Sequence, residues 1–209
     1  MYLCSWLLTC LGVSYGWGSV LRPEVIQSLY NEHRNIERVL LLIRFQAETL
    51  QGTHDLQAFE LLTNAIGYLH NYPGVTHHPC EEIILTRLPV LHPQSNRLCE
   101  EVKQQHKRFA NQEIAMLRLI REAQSGEARA CMELKKIATE YCAEQAKHIT
   151  CEEAELFPLA DQHLRDQDWQ EVYRRSKSVI DPIFGQGALQ HYQSLYDYLM
   201  SSKAALNIH

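Results

Sequence analysis

The strongest constraint on the fold is a helical periodicity that runs through most of the chain. Apolar residues recur at the spacing that places them on one face of a helix, whereas no segment keeps the alternation of a strand over a useful length. Four helices with short connections predict an all-α fold, an antiparallel up-down four-helix bundle. The four stretches cover Pro23 to about Leu50, Asp55 to Leu88, Ser95 to about Ala123, and Glu127 to about Ala160.

Proline and glycine mark the expected interruptions. Tyr72-Pro73-Gly74 predicts a kink or a break inside the second stretch, and Pro89 predicts its end at Leu88. A last helix is predicted from about Ala188 to Ala204. It carries an apolar and aromatic stripe that should pack back on the bundle, formed by Tyr192, Leu195, Tyr196 and Leu199.

These patterns divide the chain into three parts. Residues 1–19 are apolar and carry no charged side chain; a signal peptide, a gene start placed too early and an anchor all remain open for them. Residues 20–162 form the predicted bundle, and residues 163–209 form a helical extension that packs on it. No functional residue is assigned to the first part.

Composition limits the partners and the compartment. The net charge of -5 argues against a nucleic-acid partner, and the apolar start is too short and too rich in glycine to predict a membrane span. The seven cysteines contain no CxxC pair, which is typical of reduced thiols and predicts a cytoplasmic protein. The eleven histidines are many for this length and point to metal binding or proton chemistry.

One motif occurs twice, in two different predicted helices. The stretches that begin at His77 and His148 both read H-x-x-C-E-E-x-x-L. The histidine and the first glutamate are four residues apart, so they lie on the same face one turn apart. His77 is thereby paired with Glu81, and His148 with Glu152.

The two remaining predicted helices each supply one more histidine. His33 precedes His77 at nearly the same spacing as His106 precedes His148. The chain therefore resembles two helical hairpins, each with one histidine followed by one His-x-x-x-Glu pair. An antiparallel bundle would bring these groups from all four helices to one interior site.

A dinuclear metal site would explain why a bundle interior contains such groups. Buried imidazoles and carboxylates are costly unless they are paired or bound to metal. Each histidine can bind one ion, each glutamate can bridge two, and mixed imidazole and carboxylate ligation suits iron or manganese. Fewer carboxylates than in ferritin-like bundles should leave a ligand position open for a small molecule such as dioxygen.

Three segments resemble the hemerythrin-like (HHE cation-binding) domain family over about residues 22–162. They are Asn31–Glu37, Tyr72–Glu82 and His148–Pro158. The tail, with Asp168-Trp169 and Asp181–Gly185, is similar to the C-terminal extension of many bacterial members. The resemblance implies a non-haem centre of two iron ions with an oxo or hydroxo bridge.

The resemblance also implies roles for individual residues. His33, His77, His106 and His148 become terminal ligands, while Glu81 and Glu152 become bridges. Oxygen-carrying hemerythrins have a second histidine on the third helix, four residues from the first. The positions four residues before and after His106 are Val102 and Ala110 here, which cannot coordinate a metal. The fifth nitrogen is expected from His78 first and from His70 second. Glu37, one turn after His33, is a further candidate for the site.

Three classes of function follow. The first and favoured one is binding or sensing of a small diatomic ligand, dioxygen or nitric oxide, without turnover. The second is redox chemistry: removal of peroxide or nitric oxide, or donation of iron for the repair of iron–sulfur clusters. The third is iron storage or iron sensing with a separate protein partner. No nucleophile with a base and no phosphate-binding loop supports a hydrolase or a kinase.

Overall fold

The computed structural model describes residues 18–176, 180–185 and 187–201. Of the apolar segment 1–19, only the two residues that open the first helix are described, and the predicted end of the last helix, 202–204, lies outside the described residues. The α-helices are α1 (Gly18–Thr49), α2 (Leu56–Asn71), α3 (His77–Leu91), α4 (Asn96–Gln124), α5 (Ala128–Cys151), α6 (Phe157–His163), α7 (Asp166–Ser176) and α8 (Gln193–Ser201). Short 3₁₀ turns cover Pro93–Ser95 and Gln190–Tyr192, and a π turn covers Glu152–Leu156.

The helices form the predicted all-α bundle. α1 packs against α2 and α5, and α4 packs against the same two helices. α2 and α3 together form the second helix of the four-helix bundle, and α3 also contacts α4. The described part of the chain contains helices and no strand, as the periodicity predicts. None of the described helices combines the length and apolar character that a bilayer span requires.

Prolines account for the differences between predicted and observed boundaries. At Tyr72-Pro73-Gly74 the chain breaks into α2 and α3, one of the two predicted outcomes. The prediction that the helix ends at Leu88 is wrong, since α3 includes Pro89 and runs to Leu91. Likewise α1 begins at Gly18, ahead of Pro23. A proline inside a helix removes one backbone donor and crowds the preceding turn, yet the backbone stays helical through both Pro23 and Pro89.

A π turn separates α5 from α6. The N–H of Phe157 donates to the carbonyl of Glu152, five residues earlier instead of four. The next residue is Pro158, which has no N–H to donate. Single π turns inside α-helices are frequent at functional sites, and this one begins at a predicted metal ligand.

The C-terminal extension covers two sides of the bundle. α7 packs against α1 and α3 and buries Trp169 and Val172. α8 begins later than Ala188 but packs on α2 and α1, and of its predicted stripe Tyr192, Leu195 and Leu199 are buried. Asp181 joins the two parts, because its carboxylate accepts from the Tyr68 hydroxyl at 3.0 Å.

The core consists of two apolar clusters with a polar layer between them. On α1, Leu29 belongs to one cluster and Ile36 to the other, with His33 between them. On α4, Val102 and Phe109 belong to different clusters in the same way and lie on either side of His106. The helices therefore present a band of histidines and glutamates at one level of the bundle.

Candidate metal centre

The structure places the candidate ligands in this polar layer. His33 comes from α1, His106 from α4 and His148 from the last turn of α5. α3 contributes His77, His78 and Glu81, while Glu152 is the first residue of the π turn. His33, His77, Glu81, His148 and Glu152 are buried. His78 and His106 are partly exposed.

The first half of the centre contains His33, His77 and both glutamates. His77 Nε2 lies 2.9 Å from Glu81 Oε1. His33 Nε2 lies 3.3 Å from Glu152 Oε2 and 3.8 Å from Glu81 Oε1. Two imidazole nitrogens and two carboxylate oxygens therefore converge on one small volume.

The second half is built around His106 and His148. Their Nε2 atoms lie 3.2 Å apart, close enough for both to contact one cation. His148 Nε2 is 3.2 Å from Glu152 Oε2, and His106 Nε2 is 3.5 Å from Glu81 Oε2. His78 forms a group with Glu81 and His106 that could hold a metal, and its ring stacks on His106 at 4.1 Å between centroids.

Each glutamate faces both halves of the centre. Glu81 directs Oε1 to His77 and Oε2 to His106. Glu152 directs Oε2 to His33 and His148, and Oε1 lies 3.5 Å from His106 Nε2. A carboxylate in this position can contact two cations at once.

The two secondary candidates lie apart from these groups. His70 Nδ1 is 3.0 Å from Glu113 Oε2. The Glu37 carboxylate is exposed and accepts from Arg34 at 2.9 Å. Neither residue belongs to a described set of side chains that could hold a metal.

Three imidazoles are oriented by a hydrogen bond on their outer nitrogen. His77 Nδ1 donates to Glu32 at 2.9 Å, His148 Nδ1 donates to the Gln105 amide oxygen at 2.7 Å, and His33 Nδ1 donates to Glu153 at 3.1 Å. The oxygens can only accept, so each Nδ1 carries the proton. Each Nε2 therefore points into the centre, as in metal sites whose outer partners orient the ligands.

Sequence reasoning missed two of these outer partners. Glu32 and Gln105 each precede a histidine in the chain, but each bonds to a histidine of another helix. Their position beside a predicted ligand was the only available signal. Glu153, which the spacing placed just past the bridging position, orients His33, whereas Glu82 is exposed and bonds to Thr86.

Unpaired buried atoms show that the residues fit a cation. Both carboxylate oxygens of Glu81 and of Glu152, together with His33 Nε2, are buried without a hydrogen-bond partner of suitable geometry. Two carboxylates that are fully buried in this way are costly unless positive charge lies between them. Imidazole and carboxylate donors suit iron, manganese or zinc.

The pKa shifts show the charge that the centre attracts. Burial acts to lower the pKa of His33, but the nearby carboxylates of Glu152 and Glu81, at 3.3 and 3.8 Å from Nε2, outweigh burial and raise it to about 9. Burial is the main cause that lowers the pKa of His148 to about 4. The Glu152 carboxylate acts to raise this pKa, but His106 acts to lower it. Without a cation the first half therefore holds a proton where a metal would lie.

A cleft of about 950 Å³ opens beside the second half. His78 and His106 are among the residues that line it. The lining also includes charged residues of both signs, among them Glu82, Glu100, Lys103 and Lys107. The second half of the centre is therefore the half that is closer to solvent.

Together the bundle and its polar layer define a class of protein: a helical domain with clustered histidines and glutamates that could hold metal cations. The chain belongs to the hemerythrin family, since residues 24–166 match the hemerythrin HHE cation binding domain. Comparison with curated proteins and with solved structures found no match.

Proposed function

We propose that the chain holds two iron ions and binds a small diatomic ligand, dioxygen or nitric oxide, at the second half of the centre. The supporting observation is that Glu81 and Glu152 each face the histidines of both halves. His33 and His77 serve one ion, and His106 and His148 serve the other. His78 is the fifth nitrogen ligand.

Iron would supply the ligand-binding and electron-transfer chemistry, and the residues determine where it acts. Glu32, Gln105 and Glu153 fix the imidazoles in the orientation that points Nε2 inward. Leu29, Phe157 and Phe109 belong to the apolar clusters on the two sides of the centre and keep water from its flanks. The cleft leaves an approach on the side of His78 and His106.

Metal analysis tests the first part of the proposal. Protein purified from its native host should contain two irons per chain. Glu82→Ala, which removes the exposed carboxylate next to Glu81 that faces Lys103, should also contain two irons per chain. Zinc alone, or one metal per chain, contradicts the proposal.

Removal of peroxide is a second candidate, favoured by the charged side chains that line the cleft beside His106. A site for reversible binding of dioxygen benefits from exclusion of water and protons, whereas this cleft brings charged residues close to His106. Mixing the iron-loaded protein with nitric oxide, dioxygen and hydrogen peroxide separates the candidates. A stable adduct supports a binding protein, and repeated consumption supports an enzyme.

A further inference from the structure

A second buried polar cluster lies in the bundle, outside the groups of described side chains that could hold a metal. The Tyr141 hydroxyl donates to Glu113 Oε1 at 2.7 Å and accepts from the Gln145 amide at 3.0 Å. The other Glu113 oxygen lies 3.0 Å from His70 Nδ1. Tyr141, Glu113 and Gln145 are buried, whereas the His70 side chain is 35% exposed.

Stability alone does not account for this cluster. Burial raises the pKa of Glu113, which reflects the cost of keeping a carboxylate in the core. Apolar residues of similar volume usually serve a core as well as a buried charged network, or better. The short bond joins a phenol to a carboxylate that can take its proton, the arrangement that proton-coupled oxidation of tyrosine requires.

Aromatic rings connect Tyr141 to the centre. Its ring meets Phe109 edge to face at 5.8 Å between centroids. Phe109 in turn meets the His148 ring at 5.1 Å. The path from phenol to candidate ligand therefore consists of three rings in van der Waals contact.

We propose that Tyr141 donates one electron to the metal centre when the centre meets hydrogen peroxide, an inference that rests on the iron pair of the proposed function and on its second candidate, the removal of peroxide. Peroxide takes two electrons and two solvent protons and becomes two waters. A metal pair held by the centre would supply one of these electrons, and Tyr141 supplies the other. Tyr141 passes its phenolic proton to Glu113 and becomes a neutral phenoxyl radical. The Glu113 carboxylate becomes a neutral carboxylic acid.

The neighbours of Tyr141 suit this role. Gln145 donates to the phenol oxygen and continues to hold it after the proton has left. Glu113 is close enough to receive the proton without movement of either side chain. His70 joins the carboxyl group to the surface, so the proton does not remain isolated in the core.

Rapid freezing and electron paramagnetic resonance test the inference. Iron-loaded protein is mixed with hydrogen peroxide, with and without ring-deuterated tyrosine. We expect an organic radical whose hyperfine splitting changes with the deuterated residue. Tyr141→Phe should lose this radical, and Glu113→Gln should reduce its yield because the amide cannot take the proton.

Tyr68→Phe is the matched control. Tyr68 is equally buried and donates to a carboxylate, Asp181, at 3.0 Å. Its described ring contacts are with Tyr72, Phe184 and Tyr192 and with no candidate ligand. The radical should persist in this variant.

Iron content, measured first, separates the two proposals. A chain that holds no iron pair contradicts the proposed function. Iron-loaded wild-type protein without a tyrosine radical overturns the role of Tyr141 alone. The role is equally overturned if the radical survives Tyr141→Phe, or if its yield is unchanged in Glu113→Gln.

Discussion

At the scale of single residues, register along the helix separates the glutamates of each Glu-Glu pair. Glu81 and Glu152 follow a histidine by four residues and face the interior, while Glu82 and Glu153 turn away by about 100°. This geometry can be predicted from the sequence because it lies within one helix. Hydrogen bonds between helices, such as those of Glu32 and Gln105, depend on how the helices pack and cannot be predicted from the sequence alone.

Removing either of the two proposed bridging carboxylates should abolish the proposed dinuclear site. Glu81→Ala and Glu152→Ala each delete two oxygens that face both halves of the centre. Elemental analysis after anaerobic loading should then find no paired iron. Glu82→Ala should retain the full content, and Glu153→Ala should weaken binding by roughly 10–100-fold, because it only orients His33. Equal losses of iron from Glu81→Ala and Glu82→Ala would mean that the assignment of the first glutamate of the pair as the ligand is wrong.

Removing an outer hydrogen bond should weaken the centre without abolishing it. In Gln105→Ala the Nδ1 proton of His148 loses its acceptor, so the ring is no longer held with Nε2 inward. We expect metal affinity to fall by roughly 10–100-fold. Competition with a chelator measures this affinity. Gln104→Ala, at the exposed neighbouring position, should bind as the wild type does.

At the scale of elements, helix existence was predictable and helix ends were less so. The long apolar stripes correctly predicted the bundle helices, and Asp55 caps α2 by accepting from the N–H of Ala58. The π turn was not predicted, because Pro158 removes a donor from the helix but does not determine how the turn adapts. The sequence pattern places α7 only within the tail, because this short helix is rich in charged residues.

The extension should depend on Asp181 for its attachment. Its carboxylate accepts from the Tyr68 hydroxyl and from the N–H groups of Ile183 and Phe184. Asp181→Ala leaves these donors without that acceptor, at a cost of about 1–3 kcal/mol. Urea unfolding followed by circular dichroism measures the change. Asp197→Ala, whose exposed carboxylate accepts from Gln193, should be close to neutral, and equal effects would argue against the anchoring role.

At the scale of the whole molecule, the polar layer brings charged groups of four helices into contact. With no cation, a proton on His33 partly offsets the negative charge of the two glutamates, since the pKa of His33 is raised to about 9. A metal must displace such a proton, so loading near neutral pH should release protons. Calorimetric titration in two buffers of different ionisation enthalpy measures the release. Heats that do not depend on the buffer would contradict it.

The last prediction concerns stability in acid. For the metal-free protein, the raised pKa of His33, about 9 against an ordinary 6.5, contributes stability that is present below pH 6.5 and lost as the pH rises through 9. His148 acts in the opposite sense: its pKa of about 4 contributes stability above pH 6.5 that is lost as the pH falls toward 4. The metal-free protein therefore has opposing pH dependences within one site.

Bound metal adds stability to the folded protein, and acid removes that stability. Ligation needs neutral imidazoles and ionised carboxylates, so acid weakens metal binding and with it the stability that binding adds. The melting temperature of the loaded protein should exceed that of the metal-free protein at about pH 8, and the gap should close by about pH 5, below the ordinary pKa of histidine. Thermal melts of both forms across this range measure the gap. His163→Ala, a histidine near the surface that stacks on His92 away from the centre, should leave the gap unchanged, whereas His33→Ala should remove most of it. Coincident melts at every pH would mean that the histidines and glutamates of the polar layer bind no metal.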